Sequence, residues 1–408
     1  MKFPRTLVSV IALSAIAAML ACGGVSSNTG NHHQPPPPPT GTYYTTCNST
    51  AGSSQLVPDW QSNQFISNYQ PAIKALVEHV SQAPYAAQIG YIRVGLGKGG
   101  EINLPGGWSD SSSGVCYSGF TNAWHYSAGS ANSSWNQYLA TMLNFEGSLN
   151  SPKPLLVSIT PISASGTETD DYIAPIAVQN GISYGNQGLE ASDISDFPNC
   201  GGDWCTLFDQ HPPAIKELQT IGQSCPQGTG ACSGQQGETG PLPPLLQFAT
   251  GVGGSGIPIV PAPANDIEIY YQDWLIGYDP NDPQNATYGA AYASAIQAAS
   301  AHATMQVLFP DPTNSDIQNF VLNQAAAAGV VIDVDWSDIQ PTSASSFDWS
   351  ITDGSINFWL NHGAKKVNLV FQNTTYGGNN CGGNSIGSNG QSSSGNCAMP
   401  AWMWTVLQ

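Results

Sequence analysis

The sequence predicts an α/β fold: a single (β/α)8 barrel of the TIM type, with loops closed by disulfides. Three observations predict it. Eight short segments read as strands, helical patterns lie between many of them, and several strands are near-continuous apolar runs. Such runs are expected of parallel strands covered on both faces. Strand–helix alternation repeated eight times calls for a parallel sheet, and eight is the number that closes a barrel. An open doubly wound sheet is the alternative.

In chain order, residues 1–22 stand apart from the fold. Lys2 and Arg5 precede the apolar run "LVSVIALSAIAAML", and small residues follow up to Cys22. A charged start, a short apolar core and a small-residue exit describe an export signal. The exit "MLAC" resembles the lipobox of bacterial lipoproteins, which implies lipid attachment at Cys22 and a place in the bacterial cell envelope. Ordinary cleavage and secretion is the alternative. Residues 23–42, with "PPPPP", have the composition of an extended spacer that buries no core. Residues 43–408 remain for one large barrel domain.

The predicted helices are 63–82, 135–149, 286–302, 314–329 and 345–363. The predicted strands are 89–97, 154–161, 181–187, 214–220, 266–274, 304–309, 329–336 and 365–371. The fourth of these strands, "AIKELQT", carries the weakest pattern. Within this frame 304–309 should pair with both 329–336 and 266–274.

Charge narrows the partners. Only 9% of the 408 residues are charged and the net charge is −18, which argues against a nucleic-acid face. Beyond Arg5 the only arginine is Arg93. Cys22 aside, eight cysteines remain. An even count in an exported chain favours disulfides. Proximity in sequence pairs Cys200–Cys205, Cys225–Cys232 and Cys381–Cys397, leaving Cys47–Cys116. Structural zinc is disfavoured because no two cysteines show C-x-x-C spacing. No metal or cofactor is called for.

The stretch "GYIRVGLGKGGEINLPGGW" (90–108) holds a loose G-x-G-x-x-G. A dinucleotide site needs such glycines to open a helix. Here Pro105 and two glycines stop one. The glycines fit a barrel strand that ends in a side-chain-poor loop presenting Glu101. Catalytic groups of such barrels sit at the C-terminal ends of the strands.

The C-terminal quarter carries a likeness. "VVIDVDWSDIQP", "FDWSITDGSINFWLNHGAKKVNLVF" and "MPAWMW" resemble the β-galactosidase-like glycoside hydrolases, notably family 42. Trp336, Pro341, Phe347, Asp353 and Trp402 match; Gln340 departs, since the family usually has Glu before that proline. The order is rotated: 304–404 resemble the family's first three strands, and the stretch ending in Glu101 resembles its fourth. The resemblance therefore implies circular permutation, a carbohydrate substrate, and two carboxylates flanking a glycosidic bond. Glu101 takes the acid/base role. Glu217 in "AIKELQT" is the first candidate for the second carboxylate, and Glu268 in "IEIYYQDW" the next. Gln219 shares the strand parity of Glu217; if it holds the apex, the nucleophile is lost. Glu190 is a weaker candidate. Arg93, Trp108, Asn186, Gln219, Trp336 and Trp402 form the expected substrate-binding set, with Trp404 a further stacking ring. A carbohydrate-binding or structural surface protein on the same scaffold is the rival reading.

Overall fold

The computed structural model describes residues 44–48, 54–97, 100–102, 134–159, 169–228, 230–373 and 398–407. The signal and linker, Cys22 and Trp108 lie outside them, as do the side chain of Trp404 and the pairings Cys47–Cys116 and Cys381–Cys397.

The described residues begin with a hairpin that the strand pattern did not predict. β1 (Tyr44–Asn48) pairs antiparallel with β2 (Ser54–Pro58). α1 (Asn63–Gln82) follows and matches its predicted span. Its start is set by Ser62, whose hydroxyl accepts from the Phe65 N–H at 3.1 Å. Its buried stripe runs Phe65, Tyr69, Ala72, Ile73, Leu76, Val77 and Val80.

Eight parallel strands then close a barrel. They are β3 (Ile89–Val94), β4 (Leu155–Ser158), β5 (Ser183–Leu189), β6 (Lys216–Thr220), β7 (Asp266–Tyr270), β8 (Thr304–Leu308), β9 (Ala327–Asp335) and β10 (Val367–Gln372). Each pairs with its neighbour in sequence, and β10 returns to pair with β3. β8 lies between β7 and β9, as predicted.

Helices connect the strands. α2 (Ser134–Ser148) and α3 (Thr169–Gln179) pack after β3 and β4. Short helices α4 (Ala191–Asp196) and α5 (Trp204–Gln210) follow β5; α6 (Gln235–Thr239) and α7 (Leu242–Ala249) follow β6. Strand β7 runs directly into α8 (Tyr271–Tyr278), so it ends four residues before the predicted limit. α9 (Ala290–Ala299) precedes β8. The helix predicted over 314–329 shrinks to one wide turn at 317–321, because Ala327 is drawn into the sheet opposite Met305. α10 (Trp336–Ile339), α11 (Ser350–Asn361) and α12 (Ala401–Val406) complete the set.

Two of the three predicted local disulfides fall among the described residues, and both are present. Cys200–Cys205 and Cys225–Cys232 have Cα separations of 5.7 and 5.9 Å and close loops that follow the C-terminal ends of β5 and β6. They fit an oxidising compartment.

Side-chain parity divides the barrel into two chemistries. Outward residues such as Ile92, Val94, Ile267, Ile269, Val330, Ile332, Leu369 and Phe371 join the helices in one apolar shell. The interior holds a small apolar layer of Leu308, Val331 and Val370. Most other inward positions are polar. Barrels of this type usually fill their interior with bulky branched side chains, and the polar lining sets this interior apart from them.

Candidate active site

The described part of the glycine stretch after β3, residues 95–97 and 100–102, is a pinned loop with no helix among its described residues. The Gly95 carbonyl accepts from Tyr69 Oη at 2.7 Å and Asn373 Nδ2 at 2.9 Å. The Leu96 carbonyl accepts from Tyr138 Oη at 2.9 Å. The Leu96 and Gly97 N–H groups both donate to the Glu101 carbonyl, at 3.1 and 2.6 Å. Trp135 Nε1 donates to the Ile102 carbonyl at 3.2 Å. Gly100 takes φ +76°, which only glycine adopts cheaply. A side chain there would also meet Val370 Cγ1 at 2.6 Å. These constraints seat Glu101, 7% exposed, at the C-terminal mouth of the barrel.

Below the mouth lies Arg93, projecting inward from β3 and nearly fully buried. Its Nη2 donates to Gln219 Oε1 at 3.0 Å. Its Nη1 is 3.2 Å from Glu268 Oε2 and 3.6 Å from Glu217 Oε1. Burial pulls the guanidinium pKa down, but Glu268 and Glu217 outweigh it and raise the pKa overall. Tyr91 donates its hydroxyl to the other oxygen of Glu268. Gln187 Nε2 donates to Glu217 Oε2 at 2.6 Å. Gly185 makes room for that carboxylate, because a Cβ at this position would overlap it.

One arginine cannot balance this many acids. The Glu217 carboxyl is pushed well above its usual range, first by burial and then by Glu268, with Arg93 opposing. Asp266, whose Oδ2 accepts from Gln306 Nε2 at 3.1 Å, is raised well above its usual range by burial and then by Glu268. The interior is therefore a proton-holding network around one fixed cation.

Several predicted site residues meet here. Glu101, Glu217, Glu268, Arg93 and Gln219 all join the cluster. Electrostatic coupling ties Glu101 to both Arg93 and Glu217. Depth distinguishes them: Gln219 lies nearer the end of β6, whereas Glu217 and Glu268 are fully buried. Three predicted residues are placed elsewhere. Asn186 has outward parity; its side chain bonds the Gly188 N–H and the Gly201 carbonyl and holds the loop after β5. Trp336 is fully buried in the shell against Phe65 and Tyr69, with Nε1 donating to Gln340 Oε1 at 2.5 Å. Trp402 packs edge-on to Trp336 and donates to the Gln340 carbonyl. These side chains serve packing around α1, α10 and α12 instead of forming a sugar platform at the mouth. Glu190 caps α4, its carboxylate held by Ser192.

The strand parity that selected Glu217 and Glu268 would also have selected Asp333. It lies inside the run "VVIDVDW", where apolar neighbours on both sides mask it. Tyr270 was likewise missed. It ends β7 at the mouth, where burial and then Glu101 push its pKa up to about 12.

No family model, no curated protein and no solved structure matches the chain.

Proposed function

We propose that the protein is a glycoside hydrolase whose chemistry occurs at the C-terminal mouth of the barrel, with Glu101 as the proton donor to the leaving oxygen. One observation carries this reading. A carboxyl on a rigid, glycine-built loop is held at the strand ends of a (β/α)8 barrel, above a buried Arg93 that gathers two further glutamates. Rigid seating of an acid at this end of the barrel is what acid–base cleavage requires. The rotated likeness to the β-galactosidase-like hydrolases points to the same residue and to a carbohydrate substrate. That rotation fits a circularly permuted chain, since a closed barrel pairs its first and last strands in either order. The two disulfides and the lipobox-like "MLAC" fit an exported protein anchored at Cys22.

The test is turnover of a panel of aryl glycosides by the wild type and Glu101→Gln. The wild type should hydrolyse at least one glycoside, and the variant should be slower by about 10²–10⁴-fold. Equal rates in the two proteins would remove Glu101 from the reaction.

A second reading, carbohydrate binding without hydrolysis, is favoured by the depth of Glu217 and Glu268. Neither is exposed, Glu268 is held by Tyr91 and Arg93, and the inward position nearer the mouth on β6 is an amide, Gln219. Glycan binding by a wild type that shows no turnover would support it.

A further inference from the structure

One further carboxylate of the mouth is tied to the Arg93 cluster by electrostatic coupling to Arg93 and Glu268. On β9, Ile332 and Val334 are buried in the outer shell, while Val331 joins the interior layer with Leu308 and Val370. Asp333 therefore projects inward. It is nevertheless exposed, alone among its strand neighbours. An inward side chain that meets solvent while strands surround it must face an open space at the barrel mouth.

Its electrical setting agrees. Burial of its surroundings and then Asp335 push the Asp333 carboxyl up to about 7, with Arg93 opposing and Glu268 and Asp338 adding. Tyr270 responds to both Glu101 and Asp333, so it stands within reach of each. The backbone brings Glu101 to the same side of the mouth. Gly100 lies against Val370, and Val370 is the ladder partner of Asp333. One strand, β10, separates β9 from β3. Two strand spacings of about 4.8 Å put the β9 and β3 backbones about 10 Å apart, and Glu101 follows β3 on the loop that seats Gly100 against Val370. Carboxyls about 6.5–9.5 Å apart leave room for a water between acid and base.

We propose that Asp333 is the second catalytic carboxylate of this site, the general base that activates water opposite Glu101. The inference rests on the hydrolase reading above. Asp333 accepts a proton from water as the water oxygen bonds to the anomeric carbon. The glycosidic C–O bond breaks, its electron pair goes to the leaving oxygen, and that oxygen takes the proton of Glu101. A hemiacetal and a free hydroxyl leave. Asp333 returns its proton to solvent and Glu101 regains one. The product has inverted configuration.

The experiment compares the wild type, Asp333→Asn and Glu101→Gln on the aryl glycoside that turns over best. NMR reads the first-formed anomer, and rates are followed from pH 5 to 9. Asp333→Asn should lose about 10²–10⁴-fold in turnover while keeping its melting temperature, and the limb of the pH profile near 7 should vanish. The wild-type product should be inverted. Three results overturn the inference while leaving the hydrolase reading intact: a retained anomer, turnover by Asp333→Asn within about threefold of wild type, or an unchanged pH limb in that variant. If Asp333→Asn fails to fold, the wild-type anomer alone decides. A wild type that turns over nothing fails the hydrolase reading and this inference together.

Discussion

Glu146 shows how a single residue can work against its own fold. It sits on α2, 1% exposed, and neither carboxylate oxygen has a hydrogen-bond partner among the described residues. Burial alone holds its pKa well above the usual carboxylate range. The folded state therefore keeps a proton that the unfolded chain releases above about pH 4. Its cost is absent at low pH and grows as pH rises. Glu146→Gln removes the charge and keeps the shape. We expect it to raise the melting temperature at pH 8 and to change it little at pH 4.5, as read by thermal denaturation at both values. Arg93 is the converse case: a buried charge paired with Glu268 and Glu217 and hydrogen-bonded to Gln219. Its inward position was legible from strand parity, and so was the need for acids around it. The retirement of Trp336 and Trp402 to the shell was not legible, because a tryptophan after a strand reads the same whether it meets a ligand or Phe65.

At the scale of elements, the loop joining β3 to Glu101 depends most on its glycines. Gly100 has φ +76° and touches Val370. Gly100→Ala introduces both backbone strain and a clash, a cost of about 1–3 kcal/mol. The loop must shift to relieve it, and Glu101 moves with the loop. Turnover should fall by more than the loss of stability accounts for, which parallel rate and denaturant measurements would show; unaltered turnover would mean that the loop does not position Glu101. The strands were the most legible elements, because most are apolar on their outward parity, whatever lies inside; β5, with Asn186, and β6, with Lys216 and Thr220, are the exceptions. Segment 314–329 was misread for a related reason. "QAAAAGVV" suits a helix locally, but Ala327 pairs with Met305 and the ladder takes it. The hairpin β1–β2 carried no alternating pattern strong enough to announce it.

The whole molecule carries acids where barrels of this kind usually carry aliphatics. Inside the barrel Glu217 and Asp266 are raised well above their usual range, and outside it Asp193 on α4 and Asp273 on α8 are each pushed up to about 7, in every case first by burial. Each binds a proton in the folded state that the unfolded chain has lost between about pH 4 and 7. Stability should therefore decline as pH rises across that window and stay lower above it. The denaturant midpoint should be higher at pH 5 than at pH 8; the opposite order would mean that these groups are ionised in the fold. The barrel was foreseeable from its strand count, but its polar interior only in part, since parity names the inward positions without saying how deep each one lies. The closing seam has a consequence of another kind. Tyr91 N–H donates to Asn368 Oδ1 across 277 residues of chain, where β3 meets β10. The first strand of the barrel waits for the last, and until β10 is made both edges of the growing sheet stay unpaired. Loop closure on that scale comes late and is slow. A ribosome-bound or truncated chain that stops short of Val367 therefore presents two open sheet edges to its surroundings, and the finished ring presents none.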